Sequence, residues 1–401
     1  MKILEINSVP CGSTGKIMLG ITQLCRAEGH EVYMSSGYTR HPMPELKGKY
    51  IKIGTPISKL IHVWGTRFTG LHGCFSYFST RYFLHKVKKI SPDVIHLHNL
   101  HHNYINLPLL FKYIKKHNVK VVWTLHDCWS FTGQCPHFDI IGCDKWLTGC
   151  YSCPQYRDYP SSFVDRTKLM YKKKKKWFTG VRDMTLVTPS KWLAGLAARS
   201  FLAEYPVTVV NNGIDLARFR PIQSDVKERL GCADKFLLLG VSFGWDNKKG
   251  LDVFLELARR LPCDYQILLV GTNEETDRLL PPNVISIHRT QNQEELAELY
   301  AAADLLVNPT RGDTFPTVNI ESLACGTPVL TFDTGGSPEI LTDACGAVVP
   351  KNDVDAMERA ILRIAAERPF SRAACRARAE EFDKTEKFAE YLPLFSKGEC
   401  I

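Results

Sequence analysis

Short apolar runs alternate with amphipathic stretches along nearly the whole chain, the pattern of parallel α/β layers. In the first half the runs are "KILEINSV" (2–9), "HEVYMSS" (30–36), "DVIHLHN" (93–99), "KVVWTLHD" (120–127) and "MTLVTPS" (184–190). A helix is predicted from Lys16 to Glu28. The pattern then restarts with "FLLLGVSF" (236–243), "YQILLVG" (265–271), "VISIHR" (284–289), "DLLVNP" (304–309) and "PVLTFD" (328–333). Between the two sets lies "VVNNGIDLARFRP" (209–221), whose Asn, Gly and Pro content suits a turn-rich connection. The expectation is an α/β protein of two Rossmann-like domains. One spans 1–207 and carries a Cys-rich insert at 128–153; the other spans 208–384. Residues 385–401, with aromatic side chains just before and within them, are expected to form a helix packing back on the first domain. A length of 401 residues agrees, because a single core of that size usually splits.

Charge sharpens the division. Residues 1–207 hold 29 Lys and Arg against 12 Asp and Glu, a net of +17, whereas 208–401 hold 22 against 30, a net of −8. The first part also has 12 of the 13 histidines and the run "KLMYKKKKKWF" (168–178). Five consecutive lysines attract phosphates, as in anionic lipid or a polyanionic substrate, or simply face solvent. Zinc-finger spacing, RNA-binding aromatic motifs and an isolated basic recognition helix are all missing, which excludes a nucleic-acid reader. The start of the chain runs straight into a strand pattern, and no uncharged apolar window of 18 residues occurs. A cytoplasmic protein is therefore expected, touching a membrane at most from its surface.

Open parallel sheets bind ligands beyond the carboxyl ends of their strands, so the strand-end loops carry the candidate chemistry. In "PCGSTGK" (10–16), Gly12 and Gly15 allow a tight turn that turns backbone N–H groups toward an anion or sugar, or form a purely structural turn. In "GVSFGWDNKKGLDVF" (240–254), Lys248 and Lys249 stand before a helix start. Cations there oppose the helix dipole and are usually offset by a bound anion, here a diphosphate. In "NPTRGDTFPTVNIESLACGTPV" (308–329), Asp313 lies in a loop, Pro316 presets entry into a helix, and the amides near Thr317 lack intrahelical acceptors. Glu321, one turn on, can accept from vicinal hydroxyls. The bland alternative has Asp313 capping a turn and Glu321 facing solvent.

Cys135, Cys143, Cys150 and Cys153 are separated by seven, six and two residues, with Cys128 and His137 nearby. Four thiolates would make a structural zinc site; free thiols, or a disulfide or redox role, are the alternatives.

The segment "RGDTFPTVNIESLACGTPVLTFDTGGSPEI" resembles the donor-site block of glycosyltransferase family 4, which has the GT-B fold. "HVWGTRFTGLHG", "DVIHLHNLHHNYIN", "TLHDCWSFTGQCPHFDIIGCDKWLTGCYSCPQ" and "VTPSKWLA" resemble its branch of bacterial polysaccharide-biosynthesis enzymes, related to the colanic acid glycosyltransferases. The resemblance implies two Rossmann-like domains facing across a deep cleft, an acceptor-side first domain and a nucleotide-sugar donor domain.

It also implies a retaining transfer from a UDP- or GDP-sugar to a glycan or polyprenyl-diphosphate-linked acceptor, independent of metal and without cofactor apart from the possible structural zinc. Asp313 would contact sugar hydroxyls and Glu321 the ribose. The Phe315 to Thr317 backbone, including Pro316, would lie near sugar and phosphate. Lys249 would bind the diphosphate and Arg289 would lie near the base. The family's active-site histidine falls on His126, and the Gly12 and Gly15 loop approaches the donor. Where the family has an arginine, near Phe243 and Gly244, this chain has none, and Lys248 is the expected substitute. A peripheral contact with anionic membrane at the inner face fits the basic first domain. Two rival readings use similar residues: a nucleotide-sugar epimerase of similar architecture, and a catalytically silent nucleotide-sugar or glycan binding protein.

Overall fold

A computed structural model of the chain describes residues 1–37 and 48–396. The end of the 385–401 segment, from 397 on, lies outside the described residues. Two compact units emerge: Met1–Asn211 with Lys387–Ile401, and Asn212–Glu386.

The first unit is a seven-stranded sheet, all parallel, in the order β3-β2-β1-β4-β5-β6-β7. Its strands are β1 (Lys2–Asn7), β2 (Glu31–Gly37), β3 (Tyr50–Ile53), β4 (Val94–Leu97), β5 (Lys120–Thr124), β6 (Met184–Thr188) and β7 (Val207–Val209). Side chains alternate across the sheet. Leu4, Ile6, Ile95, Leu97, Val121 and Trp123 enter one core. Ile3, Val32, Val94, Val122 and Val187 enter the other, against Ile17 and Ile21 of α1 (Gly12–Ala27). Phe388, Tyr391 and Phe395 complete that second layer, so the aromatic residues of the chain's last segment are core residues of this unit.

The second unit is a six-stranded parallel sheet in the order β10-β9-β8-β11-β12-β13. Its strands are β8 (Phe236–Val241), β9 (Tyr265–Val270), β10 (Val284–Ile287), β11 (Leu305–Asn308), β12 (Val329–Phe332) and β13 (Gly346–Val349). Leu237, Leu239, Leu268 and Leu306 pack on one face with Ile320 and Leu323 of the helix Thr317–Ala324. Leu238, Ile267, Leu305 and Val307 pack on the other with Val253, Phe254 and Leu257 of the helix Leu251–Arg260.

Three strands, β3, β7 and β13, were not legible as apolar runs. Each is three or four residues long and forms an edge of its sheet. An edge strand is paired on one side only, so its sequence carries less apolar signal. Both sheets have a switch point, between β1 and β4 in the first unit and between β8 and β11 in the second. The carboxyl ends of those strand pairs are where open α/β sheets bind ligands.

Candidate functional site

In the second unit, the loops after β8 and β11 bring Lys249 and Asp313 together. Lys249 Nζ donates to Asp313 Oδ2 at 2.9 Å. The neighbouring carboxylate holds the half-buried ammonium above its ordinary pKa, against the cost of desolvation. Lys248 is also half-buried. A residue not singled out from sequence, Arg311, fastens the two loops. Its guanidinium binds both Asp252 oxygens at 2.7 Å, and its N–H donates to the Lys248 carbonyl at 2.8 Å. No short motif marks this bidentate clamp, because its partner lies 59 residues away.

The Asp313 backbone is held by Gly335. A Cβ at Gly335 would lie 1.7 Å from the Asp313 carbonyl oxygen, and φ there is +57°. The Phe315 side chain is in the core, 5.7 Å from the ring of Phe382, so only its backbone is available to a ligand. Its N–H approaches Asp313 Oδ1 at 3.3 Å, and its carbonyl accepts from Asn212. Pro316 is the N-cap residue of the helix Thr317–Ala324 and provides no side-chain cap. The amides at Thr317 and Val318 are thereby left to another acceptor. Glu321 accepts from the Tyr300 hydroxyl at 3.0 Å. Arg289 is exposed, two residues past the edge strand β10.

In the first unit, Gly12 begins α1 with φ +72°. Gly15 lies so close to Pro10 that a Cβ would sit 2.5 Å from the Pro10 carbonyl carbon. The adjacent strands β1, β4 and β5 carry a buried polar chain. His126 Nε2 lies 3.0 Å from His98 Nδ1, and His98 Nε2 lies 3.0 Å from Glu5 Oε2. On the same carboxylate, His96 Nδ1 is 2.9 Å from Oε2, while His96 Nε2 is 2.8 Å from Thr124 Oγ1. Burial pushes the pKa of His96 and of His98 down to about 3 and that of His126 to about 4. All three imidazoles are neutral at pH 7. Burial pushes the Glu5 carboxyl up, against the hydrogen bond from His98.

This cluster corrects the expectation of metal independence. Among the described residues, Glu5, His96 and His98 are the one group of three or more His, Cys, Asp or Glu whose ligand atoms all lie within 4.8 Å of one another. Two imidazoles and a carboxylate suit a divalent transition metal. Strand geometry explains the grouping. The period of two puts His96 of β4 and His98, one residue past its end, on the same side, and the register sets Glu5 beside His96. His98 is buried between Glu5 and His126.

His126 and Asp127 have separate partners. Asp127 bonds to His101 at 2.9 Å and to the Trp129 amide at 2.8 Å. Burial would raise the Asp127 pKa, but His101 holds it well below the carboxylate range. In the insert, Cys135 donates a hydrogen bond to Cys153, which raises the first thiol and lowers the second. Cys150 accepts from the Gly133 amide at 3.1 Å, and Cys143 packs against the core. The lysine run does not form one exposed face. On the helix Thr167–Phe178, Lys172, Lys175 and Lys176 are exposed, whereas Lys174 is fully buried. The Lys174 ammonium bonds to the Trp129 carbonyl and lies 3.7 Å from the Trp129 ring centroid, and burial lowers its pKa to about 7.

Two parallel α/β units, each with polar side chains gathered at its sheet's switch point, make up a GT-B-like two-Rossmann-domain architecture. The chain belongs to Glycosyltransferase Family 4, whose model matches residues 16–218, half of its length. A second model, described as Glycosyl transferases group 1, matches residues 234–367.

Among individual proteins, it is 29% identical to the putative colanic acid biosynthesis glycosyl transferase WcaC of Escherichia coli (strain K12), over 66% of this chain and 65% of that protein. It is 30% identical to a D-inositol 3-phosphate glycosyltransferase of Mycobacterium sp. (strain JLS), over 37% of each. The matches thus span less than two thirds of these relatives. The fold is similar to that of sucrose-phosphate synthase (tll1590) from Thermosynechococcus elongatus, with TM-score 0.74, 20% identity and 98% of each chain covered. It is also similar to that of Anabaena Alr3699/HepE in complex with UDP-glucose, with TM-score 0.66, 16% identity, and 98% and 100% of the two chains covered.

Proposed function

We propose that this chain is a retaining glycosyltransferase. It moves a sugar from a nucleoside diphosphate onto a glycan or polyprenyl-diphosphate-linked acceptor in surface-polysaccharide synthesis at the inner face of a membrane. The observation that carries the reading is the Lys249–Asp313 pair at the carboxyl ends of β8 and β11, beside an uncapped helix start and a tyrosine-bound Glu321. The likeness to HepE in complex with UDP-glucose and to the colanic acid relative supports the donor and the pathway class.

In this reading the ribose hydroxyls bind Glu321, the phosphates lie over the amides at Thr317 and Val318, and the sugar hydroxyls meet Asp313. The base lies near Arg289. The bond from the anomeric carbon to the β-phosphate oxygen breaks, and its electron pair stays on that oxygen. Lys249, oriented by Asp313, stabilises the growing charge, with Lys248 in place of the family's arginine. The acceptor oxygen attacks from the same face and its proton passes to the departing phosphate oxygen. His126 is neutral, so in this reading it acts by hydrogen bonding rather than by carrying charge. A Lys249→Ala variant should lose about 10²–10³-fold in kcat, the scale seen when one stabilising donor is removed. Undiminished transfer of labelled sugar by that variant would overturn the assignment.

A further inference from the structure

The helix α2 (Pro56–Thr69) is inverted with respect to ordinary packing. It is well specified: Thr55 and Ser58 form a reciprocal capping box, Pro56 opens the first turn, and Gly70 closes it in the left-handed conformation. Yet the residues it buries are His62 and Thr66. His62 Nδ1 lies 2.8 Å from Ser76 Oγ, next to α3 (Tyr77–Ile90). Ile57, Leu60, Ile61, Trp64 and Phe68 form the opposite stripe at helical spacing, and all are exposed, Ile57 at 71% and Phe68 at 63%. Phe68 meets the exposed Phe163 at 5.4 Å between ring centroids. On α3, Phe78 (84% exposed) and Tyr82 follow one turn apart. Scattered surface apolar residues need no explanation; a contiguous stripe of this size marks a binding surface.

Charge identifies the occupant. Between Glu45 and Asp93 the sequence holds nine Lys and Arg and no Asp or Glu. Arg67 lies over the Trp64 ring at 5.6 Å and Lys86 over the Tyr82 ring at 4.7 Å. A second copy would bring like charges together across a two-fold interface, which costs free energy. Aliphatic and aromatic residues rimmed by cations match the boundary between acyl chains and anionic headgroups. At about 1.5 Å per residue the helix is about 21 Å long, short of the roughly 30 Å needed to span. Among the described residues no helix is long and apolar enough to cross a membrane.

We propose that α2, with Phe163 and the start of α3, is a membrane-docking face that lies in the plane of an anionic leaflet. This deepens the reading of a lipid-linked acceptor and rests on it for its purpose, but binding can be measured without donor or acceptor. The full chain is floated with vesicles of phosphatidylcholine and phosphatidylglycerol at 70:30, and with phosphatidylcholine alone. The wild type should float with the anionic vesicles and about tenfold less with neutral ones. Ile61→Ser/Phe68→Ser should lose at least tenfold, and Lys59→Glu/Arg67→Glu should lose the anionic preference. Lys172→Ser/Lys175→Ser/Lys176→Ser, on the exposed part of the lysine run, should stay within about twofold. These positions are exposed, and an unchanged thermal midpoint confirms that each variant is folded. Three outcomes overturn the proposal: no flotation of the wild type, full flotation of Ile61→Ser/Phe68→Ser, or a dimer in light scattering that this variant abolishes while flotation persists. Turnover of labelled donor in the presence of a polyprenyl-diphosphate-linked glycan, followed in the same preparations, separates the two readings. Flotation without turnover would remove the transferase reading and leave the docking face standing.

Discussion

Asp313 is the residue on which most of the site depends. It pairs with Lys249 through its side chain and packs against Gly335 through its backbone. Asp313→Asn should lower turnover far more than nucleotide affinity, because sugar contacts matter most as the glycosidic bond breaks. Glu321→Gln should weaken both, since ribose binding is common to ground and transition states. Steady-state kinetics and calorimetric titration with the nucleoside diphosphate check the pair, and equal, negligible effects would return both carboxylates to a structural role.

Gly335→Ala should destabilise by at least about 2 kcal/mol, as overpacking combines with a left-handed backbone. Gly231→Ala, also left-handed at φ +64° but with open space around it, should cost about 1 kcal/mol. Equal urea midpoints for the two would show that the loop gives way freely. The sequence displayed Asp313, Pro316 and Glu321 by their loop and helix-start context. It did not display Arg311 or Tyr300, whose partners are set by tertiary contact alone.

At the scale of elements, alternation along β1 and β4 is the lesson. The apolar runs identify both strands, but nothing within either run pairs Glu5 with His96 and His98. Register joins them, and register is not visible in one strand's sequence. Helical rotation had the opposite effect on the lysine run, turning Lys174 inward.

The buried histidines predict an acid sensitivity confined to the first unit. His62, His96 and His98 are held at about 3 and His72, His102 and His126 at about 4, all chiefly by burial. Unfolded, each would bind a proton near pH 6.5. Below that the unfolded state binds more protons, so stability is full above about pH 6.5 and falls as pH drops toward 4. Glu5 acts in the opposite sense, as one group against six. Six of the seven tryptophans belong to the first unit, so their fluorescence reports its melting. The midpoint should fall steadily from pH 6.5 to 4.5; a flat profile would contradict the neutral, buried assignment.

At the scale of the whole molecule, the net of +17 in residues 1–207 against −8 in the remainder separates two tasks. In the proposed function the acidic half carries the lysines and carboxylates that would hold the donor, and the basic half carries the proposed docking face and the buried histidine chain. Both sheets follow from alternating apolar runs, whereas the short edge strands β3, β7 and β13 and the outward stripe of α2 are set by tertiary structure. Ile57, Leu60, Ile61, Trp64 and Phe68 look in sequence like an ordinary core stripe, and only their exposure distinguishes them.

The most direct test of the account is incubation of the protein with radiolabelled UDP- and GDP-sugars and polyprenyl-diphosphate-linked glycan acceptors, followed by product isolation and assignment of its anomeric configuration. The account predicts label on the acceptor, with the donor's configuration retained and transfer lost in Lys249→Ala. Interconverted free donor, or donor bound without any turnover across the whole panel, would contradict it.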